Sequence, residues 1–180
     1  MKRIKFLFVF LLTLSLTACT GCVENTNVKS GNRRSQDRSL INMTDEQVET
    51  VDRLMGYFIS KDNESLKSMF CEIIRTTGSI DEQIQSAFEF FDSEIVSYSG
   101  IQGGAINKAT ERGKIIRLAF SPTIRNIETN LGTSYEVKVY SYVVYDKYPN
   151  RIGISQITIV DENEKECVIG DFYLVNPEKR

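Results

Sequence analysis

The feature that most restricts the fold of this chain is a change of hydrophobic period near Asp92. Upstream, from Thr44, apolar residues recur at intervals of three and four; downstream they alternate with polar ones. A chain that buries helical stripes first and alternating strands afterwards belongs to the α+β class, with helices packed on an antiparallel sheet.

The periodic stretch divides into three expected helices. Thr44-Asp45-Glu46-Gln47 reads as a capping box, and Val48, Val51, Leu54, Met55, Phe58 and Ile59 give one buried stripe ending near Ser60. A second helix opens at Asp62 and turns Leu66, Met69, Phe70, Ile73 and Ile74 inward. The third follows Gly78, with a capping box at Ser79 to Glu82 and Ile80, Ile84, Ala87, Phe88 and Phe91 on its core face. Strands are expected near 93–100, 114–127, 133–146, 152–160 and 167–175, joined by short Gly-, Asn-, Asp- and Pro-containing turns. Such connections favour a curved antiparallel sheet of four to five strands. On the long central strand, Tyr135, Val137, Val139, Val143 and Tyr145 are expected to face the helices. Tyr140 and Tyr142 take the other face, where with Tyr148 they form either an exposed aromatic patch or ordinary sheet packing.

Ahead of this domain stand Lys2, Arg3 and Lys5, then an uncharged apolar run from Phe6 to Leu16, then Thr17-Ala18-Cys19. That order is a secretory signal, and the run is shorter than the roughly 20 apolar residues that span a bilayer. Leu16-Thr17-Ala18-Cys19 resembles a bacterial lipobox, which implies residues 1–18 as signal peptide and Cys19 as the lipidated mature N-terminus. Cys22 is the competing cleavage position, and Cys19-Thr20-Gly21-Cys22 also has the spacing of a redox pair, without the strand and helix that such a pair requires. With Cys19 acylated, two or more chains, palmitate among them, anchor the protein on the extracytoplasmic face of the cell membrane. Residues 20–43 are polar and unpatterned, so 19–43 is expected to be a disordered tether and 44–180 the single domain.

Charge follows the same boundary. The tether carries a net +2, while residues 44–180 hold 15 Lys and Arg against 22 Asp and Glu. A domain of net −7 with no basic stripe is not built for nucleic acid, whereas a cationic tether suits anionic headgroups or simply stays solvated. The 180 residues contain no His and no Trp, which removes Ser-His-Asp and Cys-His chemistry and imidazole metal sites. Any reaction rests on Asp, Glu, Lys, Tyr or Cys, and no cofactor or metal is expected. Asp161-Glu162-Asn163-Glu164-Lys165-Glu166 has the alternation of a calcium loop but fails at Lys165, so it reads as a solvated turn. Cys71 and Cys167 can pair or pack as small hydrophobes.

The order of elements resembles an uncharacterised family of Firmicute lipoproteins. The resemblance is carried by Phe58-Ile59-Ser60-Lys61-Asp62-Asn63-Glu64-Ser65-Leu66 with Met69-Phe70, by Asp81-Glu82-Gln83-Ile84 with Phe88-Glu89-Phe90-Phe91, and by Val96-Ser97-Tyr98. That family is similar to the nuclear transport factor two-like, or cystatin-like, cone fold. The resemblance implies a cone cavity, and isomerases on related folds use an aspartate base with a tyrosine donor. Asp171, within the apolar run Cys167 to Val175, is the candidate base, with Tyr98 or Tyr142 as donor; Asp171 facing outward, or paired with Arg117, is the alternative. The expected function is therefore a lipid-anchored binding or accessory domain for a small molecule, peptide or envelope protein. The rivals are a metal-free isomerase- or dehydratase-like enzyme and a structural partner-binding module. A homodimer through the open sheet face is compatible with each.

Overall fold

In the computed structural model, which describes residues 45–104 and 107–179, helix gives way to sheet at Asp92. Cys19, Cys22, the tether and the cap at Thr44 lie outside the described residues. Helix α1 (Asp45–Ser60) buries Val51, Leu54, Met55 and Phe58. Ile59 is 43% exposed, because one further step of about 100° carries it off the stripe. Helix α2 (Asn63–Ser68) opens at Asp62, whose carboxylate accepts the Ser65 N–H at 3.0 Å.

The second expected helix does not continue to Ile74. It stops at Ser68 and resumes as α3 (Glu72–Arg75), so four helical segments rather than three precede the sheet among the described residues. The break has a physical cause: Cys71 N–H donates to the Ile154 carbonyl at 2.8 Å, and Ile154 N–H donates to the Met69 carbonyl at 2.9 Å. Strand pairing has taken the backbone groups that a helix needs. Gly153 permits this approach, since at its φ of 115° a Cβ would lie 2.8 Å from the Cys71 nitrogen. Helix α4 (Ile80–Phe90) buries the four residues expected of it, and Phe91 follows them into the core. Ser79 occupies its N-cap position without bonding a backbone N–H; its hydroxyl instead accepts from Gln83 Nε2 at 3.2 Å.

Among the described residues seven strands follow in one antiparallel sheet, more than the four to five expected: β1 (Ile95–Gln102), β2 (Asn107–Glu111), β3 (Lys114–Phe120), β4 (Thr123–Thr129), β5 (Ser134–Tyr145), β6 (Gly153–Asp161) and β7 (Glu166–Gly170). The expected strand 114–127 is split at Ser121-Pro122, where proline has no N–H to give and its carbonyl accepts from Val139 N–H at 3.0 Å. β2 is too polar for alternation to reveal it. It pairs with β3 through Arg112 and Gly113, whose φ values of 48° and 80° suit a tight hairpin turn. The last expected strand ends at Gly170, and Asp171 caps a short helix, α5 (Phe172–Val175).

The twelve residues of β5 organise the sheet. β4 pairs with its first half, β3 with its second half, and β6 runs along its other edge. Two strands sharing one edge, with a bend between them at Pro122, force the sheet to curve. Ile124, Ile127, Val137, Val139, Ile157 and Ile159 are buried in one core with the helical stripes. There Phe58 meets Phe88 and Phe91 edge-on at centroid separations of 6.1 and 5.7 Å.

Candidate functional site

The direction of each β5 side chain decides which residues can meet. Val137, Val139 and Ser141 alternate toward the helices, and Lys138, Tyr140 and Tyr142 away from them. At Val143 the alternation fails: Leu118 pairs with Val144 and Ala119 with Tyr142, so Val143 is one residue too many on β5. A bulge of this kind reverses the parity beyond it. Tyr145 consequently lies with Tyr142, ring centroids 4.8 Å apart, and not with Val137 as the alternation predicts.

On the helix side, α1 and the sheet leave a cleft of about 460 Å³. Leu118, Phe120, Val143 and Ile154 make its apolar wall, Ser141 lies among them, and Arg53 and Tyr57 of α1 stand opposite. Its volume falls within the range of roughly 300–1,000 Å³ typical of small-molecule sites. Arg53 is exposed and forms no ion pair among the described residues. Among the described residues, none that lines the cleft is Asp or Glu, and the lining can hold a molecule by shape, apolar contact and one positive charge.

The four candidate residues are not gathered there: Tyr142 borders the cleft, while Tyr98, Arg117 and Asp171 are not among its lining residues. Tyr98 donates its hydroxyl to Asp52 on α1 at 3.2 Å. Asp171 is exposed, and its carboxylate accepts the Tyr173 and Leu174 N–H groups at 2.7 and 3.0 Å. The apolar run that suggested a core strand is a strand end followed by a capped helical turn. Tyr142 and Arg117 share the outer face of the sheet. Tyr142 is 4% exposed and donates to Asn176 Oδ1 at 2.6 Å; burial pushes its hydroxyl pKa up, the Tyr140 hydroxyl adds to this, and the nearby Arg117 charge opposes it. The phenol stays protonated and holds the C-terminal segment. Arg117 donates through Nη2 to Asn107 Oδ1 at 3.1 Å, not to Asp171.

Tyr140, Tyr142 and Tyr148 do not form one exposed patch. Phe172 packs on Tyr140 at 4.5 Å, and Arg151 stacks on Tyr148 at 4.1 Å. Cys71 and Cys167 are both free. Cys71 sits at the level of Ile154 and Cys167 opposite Ile159, five residues along β6, a separation of roughly 16 Å. That is more than twice the Cα distance a disulfide tolerates. The Asp161 segment is a hairpin turn closed by Asp161 Oδ1, which accepts from Asn163 and Lys165 N–H. Sequence patterning missed the Arg53, Leu118 and Ser141 grouping, because those residues converge only through the split strand and the bulge.

No curated protein matches the chain. A family model for a domain of unknown function matches residues 53–162, from Arg53 at the cleft through β6 to the turn after it. The matched stretch takes in Tyr57, the β3 and β5 wall and Ile154, but not Asp171 or α5. It covers more than half of the sequence, and the chain belongs to this family, DUF5104.

Proposed function

We propose that this is a binding domain, tethered by a lipid on Cys19 to the extracytoplasmic face of a cell membrane, whose ligand is a small molecule held between α1 and the sheet. The observation that carries it is the cleft, with apolar side chains on the β3–β5 wall and, on the helix opposite, Arg53, which has no ion-pair partner among the described residues. Arg53 selects ligands with an acidic or strongly polar end, and the Leu118, Phe120 and Val143 wall takes the remainder.

Helices on one face of a curved antiparallel sheet support a cystatin-like cone, and the lipobox at Leu16 to Cys19 supports a place among Firmicute lipoproteins. Binding is preferred to acid/base catalysis because Asp171 is engaged as a helix cap and because, among the described residues, no carboxylate lines the cleft. Mass spectrometry of small molecules retained by the full chain after gentle extraction tests the proposal. A retained species at close to one per chain is the expected result.

A further inference from the structure

The opposite face of the sheet carries a second, larger groove of about 830 Å³, bordered by β2, β3, the end of β5 and Glu178. The bulge at Val143 creates it. Ala109, Arg117 and Tyr145 stand in register across three strands, so a guanidinium lies between a small side chain and an aromatic one. Ala109 leaves open the space beside Arg117 that a longer side chain would fill.

The charges around this groove are distinguished by their pairing. Asp146 is held by Lys114 at 2.6 Å, and Glu178 by Arg151 at 3.1 Å, while Arg151 itself stacks on Tyr148. Arg117 and Lys147 have no carboxylate partner among the described residues. Lys147 rests its ammonium 4.9 Å from the centre of the Tyr148 ring. Arg117 spends one N–H on the neutral Asn107 amide, and its Nε is buried without any hydrogen-bond partner. Because that Nε is sealed from solvent, an acceptor entering the groove bonds to the Nη N–H groups that Asn107 leaves unused on this half-buried guanidinium. Against these two cations, Glu111 is the one carboxylate lining the groove that has no cation partner among the described residues.

We propose that this outer groove is a second ligand site, distinct from the cleft under α1, that takes an organic monocarboxylate with an apolar body. The carboxylate lies between Arg117 and Lys147, and the body lies against Ile116, Tyr145 and Tyr148. One surplus positive charge matches a monoanion, whereas a dianion meets Glu111 and the paired Asp146 and Glu178 without enough donors to offset them. Arginine suits the planar, two-oxygen carboxylate, and the aromatic wall sets the size of the body.

The test is a calorimetric titration of the full chain in lipid nanodiscs with phenylacetate, using empty nanodiscs as the blank. Saturable binding is expected, weakened at least tenfold in Arg117→Gln and about threefold in Lys147→Gln, and unchanged in Leu118→Trp, which alters only the other cleft. Phenyl phosphate is expected to bind more weakly than phenylacetate, and benzylamine not at all. Circular dichroism establishes that each variant is folded; Lys147→Gln, on an exposed turn, keeps the test informative if Arg117→Gln does not fold. Absence of saturable phenylacetate binding, equal binding by folded Arg117→Gln and Lys147→Gln, or tighter binding of phenyl phosphate or benzylamine would each overturn the proposal. Loss of binding in Leu118→Trp would instead place phenylacetate in the cleft under α1 and remove the second site.

Discussion

Asp92 does more for this fold than its place at the change of period suggests. Its carboxylate accepts the hydroxyls of Thr133 and Thr129, and its backbone N–H lies 3.1 Å from the Tyr135 hydroxyl, so one residue ties the helix-to-sheet junction to the β4–β5 hairpin. The Thr133 and then the Thr129 hydrogen bonds hold its carboxyl below the usual aspartate range. A group whose pKa is depressed on folding stabilises the fold above its unfolded pKa, near 3.8, and that stabilisation disappears as pH falls through the folded value. Urea unfolding between pH 6 and about pH 2.5 should therefore show a loss of stability on the acid side that is shallower in Asp92→Asn. An identical pH dependence in the two proteins would show that these hydroxyls do not favour the charged form. Asp171 has a different role as a cap. Asp171→Ala should cost about 0.5–2 kcal/mol, and Asp171→Asn, a comparable cap, should change stability by less than about 0.5 kcal/mol. Neither role was legible beforehand, because an aspartate at a period change or in an apolar run does not reveal which N–H or hydroxyl it will meet.

At the level of elements, strong periodic signals carried through and local exceptions did not. The stripe of α4, that of α1 apart from Ile59, and the alternation of β5 up to Ser141 appear as read, since burial on one face enforces them. The exceptions are backbone events: the helix broken at Phe70-Cys71 by pairing with Ile154, the strand bent at Pro122, and the bulge at Val143. Pro122 was visible in the sequence, but a single proline does not say whether a strand ends or turns. The cleft depends on the last two exceptions, so its chemistry was hidden: of its wall, the alternation pointed only Val143 toward the helices. Gly153 gives a direct check on the first. Adding a Cβ there drives it into the Cys71 backbone at a φ that L-residues rarely adopt, so Gly153→Ala should destabilise by about 1–3 kcal/mol in urea unfolding. A neutral result would show that α3 does not need its link to β6. In the same region, oxidants should leave Cys71 and Cys167 uncrosslinked within one chain, read as unchanged non-reducing electrophoretic mobility.

For the whole molecule, the proposed arrangement is an anchor, a tether and a domain that offers a cleft under α1. Cys19→Ala should abolish labelling by a fatty acid and shift the protein from the membrane fraction to the soluble one. Label that persists in Cys19→Ala and disappears in Cys22→Ala would move the lipidated residue by three. The most direct measurement of the central claim compares what full-length wild type and Leu118→Trp retain after extraction from membranes, by mass spectrometry of released small molecules, with circular dichroism establishing that both are folded. Binding under α1 predicts a species held at close to one per chain by wild type and lost when indole fills the β3 wall. Wild type that releases nothing, or folded Leu118→Trp that retains as much as wild type, would contradict it.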